Sequence, residues 1–368
     1  MKPIKVKRRV PPSIETPFDR CGKDETAHRA ELIHHLEIAL QLEHATIPPY
    51  LCALYSIKHG TNDAAADRIL SVAKEEMLHM ALVANLLLAI GGTPKMSASD
   101  FVLSYPGPLP ESDGNVVVSL NCFSPKALES FLDIERPTPI DAEPQGRGYS
   151  SIGQFYASIK DELDYYCRKV QKNKFSELFI GNPDVQTPPE EYYSGGGEIV
   201  EVTDYDSARR AIKIIVDEGE GFGHTIFSGD HEQFGEEPDL AHFYKFNELL
   251  VGRRYLPTDS PDADPTGPQI AVDYSKNAVH HAEVLKDNGQ TSLSPGVQEK
   301  LAEFQQTYSD LLRELELGFT SSKKVSEGQE LGEKATHFRE VGGLMFKVKY
   351  QMTALMHSSG GGIIPAFK

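Results

Sequence analysis

The stretch that most limits what this chain can fold into is Glu75-Glu76-Met77-Leu78-His79, set within a helical run over residues 64–90. Glu76 and His79 stand three apart, so on a helix they share one face. Ile69, Val72, Val83 and Leu86 fall on the same face, and together they make the stripe that a helix buries. A carboxylate and an imidazole in an apolar stripe require a charge partner, hydrogen bonds or a metal ion, because an unpaired buried charge is strongly unfavourable. The rest of the chain must supply those partners.

Residues 24–59 offer the first. Leu32, Leu36, Ala39, Leu40, Ile47 and Leu51 form an inner helical stripe with Glu43 in phase, and Pro48-Pro49 should kink or restart the helix just past it. Gly60-Thr61-Asn62-Asp63 reads as a turn with Asp63 as the cap of the next helix. Two long helices joined by a short turn are antiparallel neighbours, which brings Glu43 toward Glu76 and His79.

Residues 92–150 differ in kind. Tyr105-Pro106-Gly107-Pro108-Leu109-Pro110 is a rigid loop, 116–120 a short strand, 125–135 a short helix and 136–150 a Pro- and Gly-rich loop. So long a connection reads as a crossover or a lid over the bundle. A third helix over 152–172 carries Phe155, Ile159, Glu162, Leu163 and Tyr166 on one face. After an irregular stretch at 175–203, Asp204 or Ser207 caps a fourth helix that breaks at Gly219-Glu220-Gly221. A short helix over 238–252 contains His242, and 257–270 is a loop. Amphipathic helices over 297–319 and 333–357 precede a Gly-rich tail at 358–364. The expected organisation is a tail at 1–26, a bundle at 27–256 with inserted loops 92–150 and 175–203, and a helical extension at 257–368 packed on the bundle.

The inward acids and imidazoles are then Glu43, Glu76 with His79, Glu162, Glu220 and His242. Ferritin-like di-iron bundles draw one Glu from each of two helices and a Glu-x-x-His from each of the other two, and the inventory here has the same count. The expected fold is all-α: a ferritin-like four-helix bundle with long crossover loops and extra C-terminal helices. Carboxylate and imidazole donors suit iron, with manganese or a mixed pair as the alternative. The fourth helix carries no Glu-x-x-His, so the second histidine is either His242 on a helix or His224 in a Gly-Phe-Gly-His loop. The competing reading of the same residues is a metal-free polar network in the core. Tyr50, Tyr55, Tyr156, Tyr165 and Tyr166 read as bundle core.

A net charge of −17 argues against a nucleic-acid or anionic-membrane surface. No hydrophobic run reaches spanning length, and the N-terminus lacks a signal-peptide core. Cys21, Cys52, Cys122 and Cys167 are scattered without a disulfide or zinc rhythm, which reads as free thiols in a reducing, cytoplasmic setting.

Six blocks of this sequence resemble the VioB-type ferritin-like domain family (iminophenyl-pyruvate dimer synthase-like). They are the run from Glu37 through Glu43 and Pro48-Pro49 to Leu51, the run Glu75-Glu76-Met77-Leu78-His79-Met80-Ala81-Leu82 closing at Gly91-Gly92, Tyr105 to Pro110, Ile152-Gly153-Gln154-Phe155-Tyr156, Gly219-Glu220-Gly221, and Ala241-His242-Phe243-Tyr244-Lys245-Phe246. The resemblance runs from about residue 27 onward. It implies a ferritin-like core with Glu43, Glu76, His79, Glu220 and His242 as metal-ligand candidates, and it supports His242 over His224. Gln154 stands where family members often carry Glu. The enzyme for which the family is named couples two imines that an oxidase partner makes from an aromatic amino acid, so the resemblance also implies an amino-acid oxidase as partner.

The expected function is a dinuclear-metal oxidoreductase acting on a small aromatic or amino-acid-derived metabolite in secondary metabolism. Imine coupling with a non-redox metal and plain iron binding or storage are the alternatives. Long loops and two extra helices argue against a storage cage and for a monomer or small homo-oligomer.

Overall fold

A computed structural model describes residues 25–167, 178–191, 197–229, 239–285, 293–326, 330–358 and 362–367. The expected tail at 1–26 lies outside them except for its last two positions, as does Cys21. The described chain is helical, with only short strands: α1 (Glu25–Ser56), α2 (Asp63–Ala89), β1 (Gly107–Pro108), β2 (Val117–Val118), α3 (Pro125–Ile134), α4 (Ile152–Tyr165), α5 (Tyr205–Glu220), α6 (His242–Val251), β3 (Ala282–Val284), α7 (Pro295–Thr320), α8 (Glu333–Met356) and β4 (Gly362–Ile364). No helix among the described residues is long and apolar enough to cross a membrane.

Four helices close a ring. α1 packs on α2 and α4, and α5 packs on α2 and α4. From Leu78 to Ala89 every residue of α2 is buried, so this segment is surrounded on all sides. α3 and α6 pack against each other, α3 also touching α1 and α6 touching α2 and α5. α7 and α8 form a hairpin that lies on α1 and α2. His44 Nε2 of α1 lies 2.6 Å from the Tyr308 hydroxyl of α7, joining the extension to the bundle.

Three local expectations change. Pro48-Pro49 does not break α1, which runs through both prolines. Pro49 has no N–H for the carbonyl four residues back, that of Ala45, and the Tyr105 hydroxyl donates to that oxygen at 2.8 Å. The long loop after α2 therefore compensates the proline. Asn62, not Asp63, is the N-cap of α2; it adopts φ 49° and exchanges hydrogen bonds with the Asp273 backbone instead of capping with its side chain. The tail at 358–364 contributes β4, which pairs in parallel with β3 in the register Ala282↔Gly362. Elsewhere Asp204 and Ser207 act together, forming a capping box at the start of α5.

Lys334, in the first turn of α8, is fully buried, and its ammonium donates to the Gly318 and Phe319 carbonyls at the end of α7. Burial pushes it down to about 8. The folded chain then binds fewer protons than the unfolded chain between pH 8 and about 10.4. This group's contribution to stability rises with pH across that window, by about 1–3 kcal/mol. Denaturant unfolding at pH 8 and pH 10 checks this: the increment is expected in the parent and absent in Lys334→Met.

Candidate metal centre

The interior of the helix ring holds a polar cluster. Glu43 sits midway along α1, and Glu76 and His79 sit midway along α2; each is at most 3 % exposed. Glu135 follows the last residue of α3, and His242 opens α6. One donor atom from each of Glu43, Glu76 and His79 lies within 4.8 Å of the other two, and the same holds for Glu76, Glu135 and His242. Donors about 2.1 Å from a shared ion are separated by up to about 4.2 Å, so small side-chain movements close either set around a cation. Glu76 belongs to both sets. The two imidazoles lie side by side, with ring centroids 5.4 Å apart.

Each imidazole is oriented from behind. His79 Nε2 lies 2.8 Å from Glu218 Oε2, while its Nδ1 faces Glu43 at 3.5 Å and Glu76 at 3.6 Å. His242 Nε2 lies 2.8 Å from Glu75 Oε2, while its Nδ1 faces Glu76 at 3.0 Å and Glu135 at 3.4 Å without making a hydrogen bond. An outer carboxylate that accepts a hydrogen bond from one ring N–H and leaves the other nitrogen aimed at a cluster of oxygens is the arrangement found behind metal-bound histidines. Glu75 is in turn held by Lys245, whose ammonium bonds both carboxylate oxygens at 2.7 Å and reaches Asp239 at 2.7 Å. Lys245 is completely buried.

Two tyrosines brace the acids. Tyr156 of α4 donates to Glu43 Oε1, and Tyr50 of α1 donates to Glu135 Oε1. Both are fully buried, and burial raises both phenols well above their ordinary range, so they stay protonated donors.

The electrostatics fit divalent cations. Burial pushes Glu43 up to about 7, against the pull of His79 and with the push of Glu76. Burial also raises Glu135, helped by the charge of Glu76, and burial raises Glu218. Burial works against ionisation of Glu76 too, but its contacts with His242 and His79 win and hold it low. Burial alone would drain the protons from His79 and His242, yet the surrounding carboxylates hold both well above the usual imidazole range. Without a metal the cluster therefore collects protons. Glu43, Glu75, Glu76, Glu135 and Glu218 against Lys245 leave four negative charges when both imidazoles are neutral, the charge that two divalent cations carry.

Glu43, Glu76, His79 and His242 thus come together, and Glu162 and Glu220 do not join them. Glu162 points inward, fully buried, but its carboxylate lies 2.7 Å from His28 Nδ1. His28 precedes Glu43 by fifteen residues, about 22 Å along α1. Glu220 accepts from the Thr138 hydroxyl at 2.5 Å and from the Gly153 N–H at 2.9 Å, beyond the cluster. The rival His224 lies just past α5 in the left-handed conformation, φ 61°. Glu135 completes the second donor set and Glu218 stands behind His79, and both had a signal in the sequence. Glu135 follows Leu128 by seven and Phe131 by four, on the apolar stripe of α3. Glu218 continues Ala211 and Ile215 by seven and three, whereas Glu220 is five from Ile215 and off that stripe. Residues 92–150 contribute α3, whose C-cap residue Glu135 joins the cluster. Tyr50 and Tyr156, read as core, are core residues whose hydroxyls serve the cluster.

This chain belongs to the ferritin-like family, whose model matches residues 36–251. Among its relatives it is similar to dichlorochromopyrrolate synthase of Lentzea aerocolonigenes, 24% identical over 295 residues that make up 68% of this chain and 27% of that protein. It is also similar to 2-imino-3-(indol-3-yl)propanoate dimerase of Chromobacterium violaceum, 26% identical over 249 residues, 58% of this chain and 23% of that protein. The matched stretch spans about a quarter of each of these relatives. The crystal structure of a ferritin-like protein from Caulobacter vibrioides shares the fold with a TM-score of 0.60 at 22% identity, over 92% of this chain and 97% of that one.

Proposed function

We propose that this protein is an enzyme with a dinuclear metal centre, iron in the first place and manganese or a mixed pair as the alternative, that acts as an oxidoreductase on a small aromatic or amino-acid-derived metabolite. The observation that carries this reading is the sharing of Glu76 between two buried carboxylate–imidazole sets. Glu43, Glu76 and His79 would hold one ion, and Glu76, Glu135 and His242 the other. Such a pair supplies Lewis acidity and, with iron, redox equivalents. The chain's own part is to orient and to insulate. Glu218 and Glu75 fix the two imidazoles, Tyr156 and Tyr50 keep a proton at one oxygen of Glu43 and of Glu135, and the packed helices exclude bulk water.

A second reading is imine coupling with the metal in a non-redox role, supported by the imine-dimerising activity named for the Chromobacterium relative. Under that reading the protein works beside an amino-acid oxidase that supplies the imine. The two readings separate in one assay. With metal-loaded protein and a pre-formed imine, made from an aromatic 2-keto acid and ammonia so that no oxidant is needed, the oxidoreductase reading expects turnover that stops under strict anaerobiosis. Coupling that continues at an unchanged rate without dioxygen overturns it in favour of the second. The net charge of −17 supports a small-molecule substrate over nucleic acid under either reading.

A further inference from the structure

One face of α8 is left uncovered by the rest of the described chain. Val341, Val348, Met352 and Leu355 are buried on its inner side, toward α7 and α1. On its outer side Arg339, Gly343, Phe346 and Tyr350 are all exposed, at spacings of four, three and four, with exposed Glu340 and Lys347 alongside. That spacing is the seam of a two-helix coiled coil. Phe346 is 65 % exposed and Tyr350 71 %, one turn apart, and large aromatic side chains left in water along such a seam mark a contact surface. Glycine is a poor helix former, and the interior does not call for it at 343, where a Cβ would meet nothing within 4 Å. Among the described residues none forms an ion pair with Arg339, Glu340 or Lys347. The chain as a whole carries −17, but the outer side of α8 sets Arg339, Lys347 and Lys349 against Glu333 and Glu340. A second copy of the chain can approach there without the repulsion that two acidic surfaces would bring.

We infer that α8 is a homodimer interface: it pairs antiparallel with the α8 of a second copy, about a two-fold axis level with the Leu344–Met345 bond. Two-fold symmetry makes every contact twice. Phe346 of each copy lies over Gly343 of the other, where the missing side chain makes room for the ring. Tyr350 faces Arg339 of the other copy, a guanidinium-on-ring contact. On the flank Glu340 faces Lys347 of the other copy, so charges that are single in one chain gain partners in two. A parallel pair would set Arg339 against Arg339 and Gly343 against Gly343, and it would make neither match. One helix pair is a small interface, so the dissociation constant is expected to be micromolar.

Sedimentation equilibrium of the full chain over a concentration series tests this, and a monomer–dimer equilibrium is the expected result. Gly343→Leu fills the space for Phe346 while favouring the helix, and Lys347→Glu sets two carboxylates against each other. Each is expected to weaken dimerisation at least about tenfold. Glu340→Lys/Lys347→Glu exchanges the two charges and is expected to restore the parent's constant to within about threefold. Circular dichroism and metal content, measured in parallel, are expected to match the parent in all three, because the altered positions face outward. The charge exchange carries the test even where Gly343→Leu perturbs α8. A chain that stays monomeric at every soluble concentration overturns the inference and leaves the face to a different partner. A dimer that tolerates both single variants overturns it too. So does a dimer that Lys347→Glu weakens and the exchange fails to restore, because the antiparallel register then does not hold.

Discussion

Glu76→Gln, expressed with iron supplied, is expected to retain less than about a tenth of the parent's metal, whereas Glu162→Gln retains all of it. Glu76 is the one residue common to both donor sets, so its loss opens both sites at once. Residues that merely orient a metal ligand change affinity by about 10–100-fold, and a shared ligand should cost more than that. Glu162 is also a deeply buried glutamate on the apolar face of its helix, but its partner is His28. The pair of variants therefore separates a metal centre from a general dependence on buried acids. Elemental analysis with circular dichroism on both proteins gives the readout. Equal metal content in the two would remove Glu76 from the centre.

The second large effect is expected at Lys245. Its ammonium neutralises Glu75, the carboxylate that orients His242. Lys245→Met leaves Glu75 buried with only the Ser71 hydroxyl and the imidazole for company. Removing one partner of a buried ion pair costs about 3–5 kcal/mol. Urea unfolding should report that loss, and metal affinity should fall with it as the imidazole loses its fixed partner. The double variant Lys245→Met/Glu75→Gln is expected to recover most of the stability, because the glutamine needs no counter-charge and its carbonyl still accepts from His242 Nε2. A double variant as unstable as the single one would mean that lost packing, not the stranded charge, sets the cost.

Much of this architecture could be read from residue spacing. Glu43, Glu76 and His79 lie on long helices with strong apolar stripes joined by a short turn, so phase alone brings them together. His242 opens a short helix, and its block resembles the family's. The other half of the cluster was harder for physical reasons. Glu162 has the right phase but the wrong height, because phase fixes the direction of a side chain and says nothing of its position along the bundle axis. Glu135 stands at the end of a ten-residue helix inside a Pro- and Gly-rich stretch, where a stripe has too few turns to stand out. Glu218 was overshadowed by the Gly-Glu-Gly that follows it, though the stripe of α5 points to Glu218. The support from Glu75, Lys245, Tyr50 and Tyr156 depends on contacts between residues more than eighty positions apart, which no local pattern encodes.

Pro48-Pro49 makes a related point. Two prolines in a helix predict a break, and the backbone accounting does leave carbonyls without donors. Tyr105, from the loop after α2, supplies one of the missing bonds, so a distant residue decides whether the helix continues.

The central claim is that this bundle holds two metal ions between Glu43, Glu76, His79, Glu135 and His242. Elemental analysis of freshly purified protein, expressed with both iron and manganese in the medium, tests it most directly. About two equivalents of transition metal per chain, with iron in excess, is the expected result. A fully folded chain without near-stoichiometric iron or manganese would contradict it and return the cluster to a network of buried acids and imidazoles.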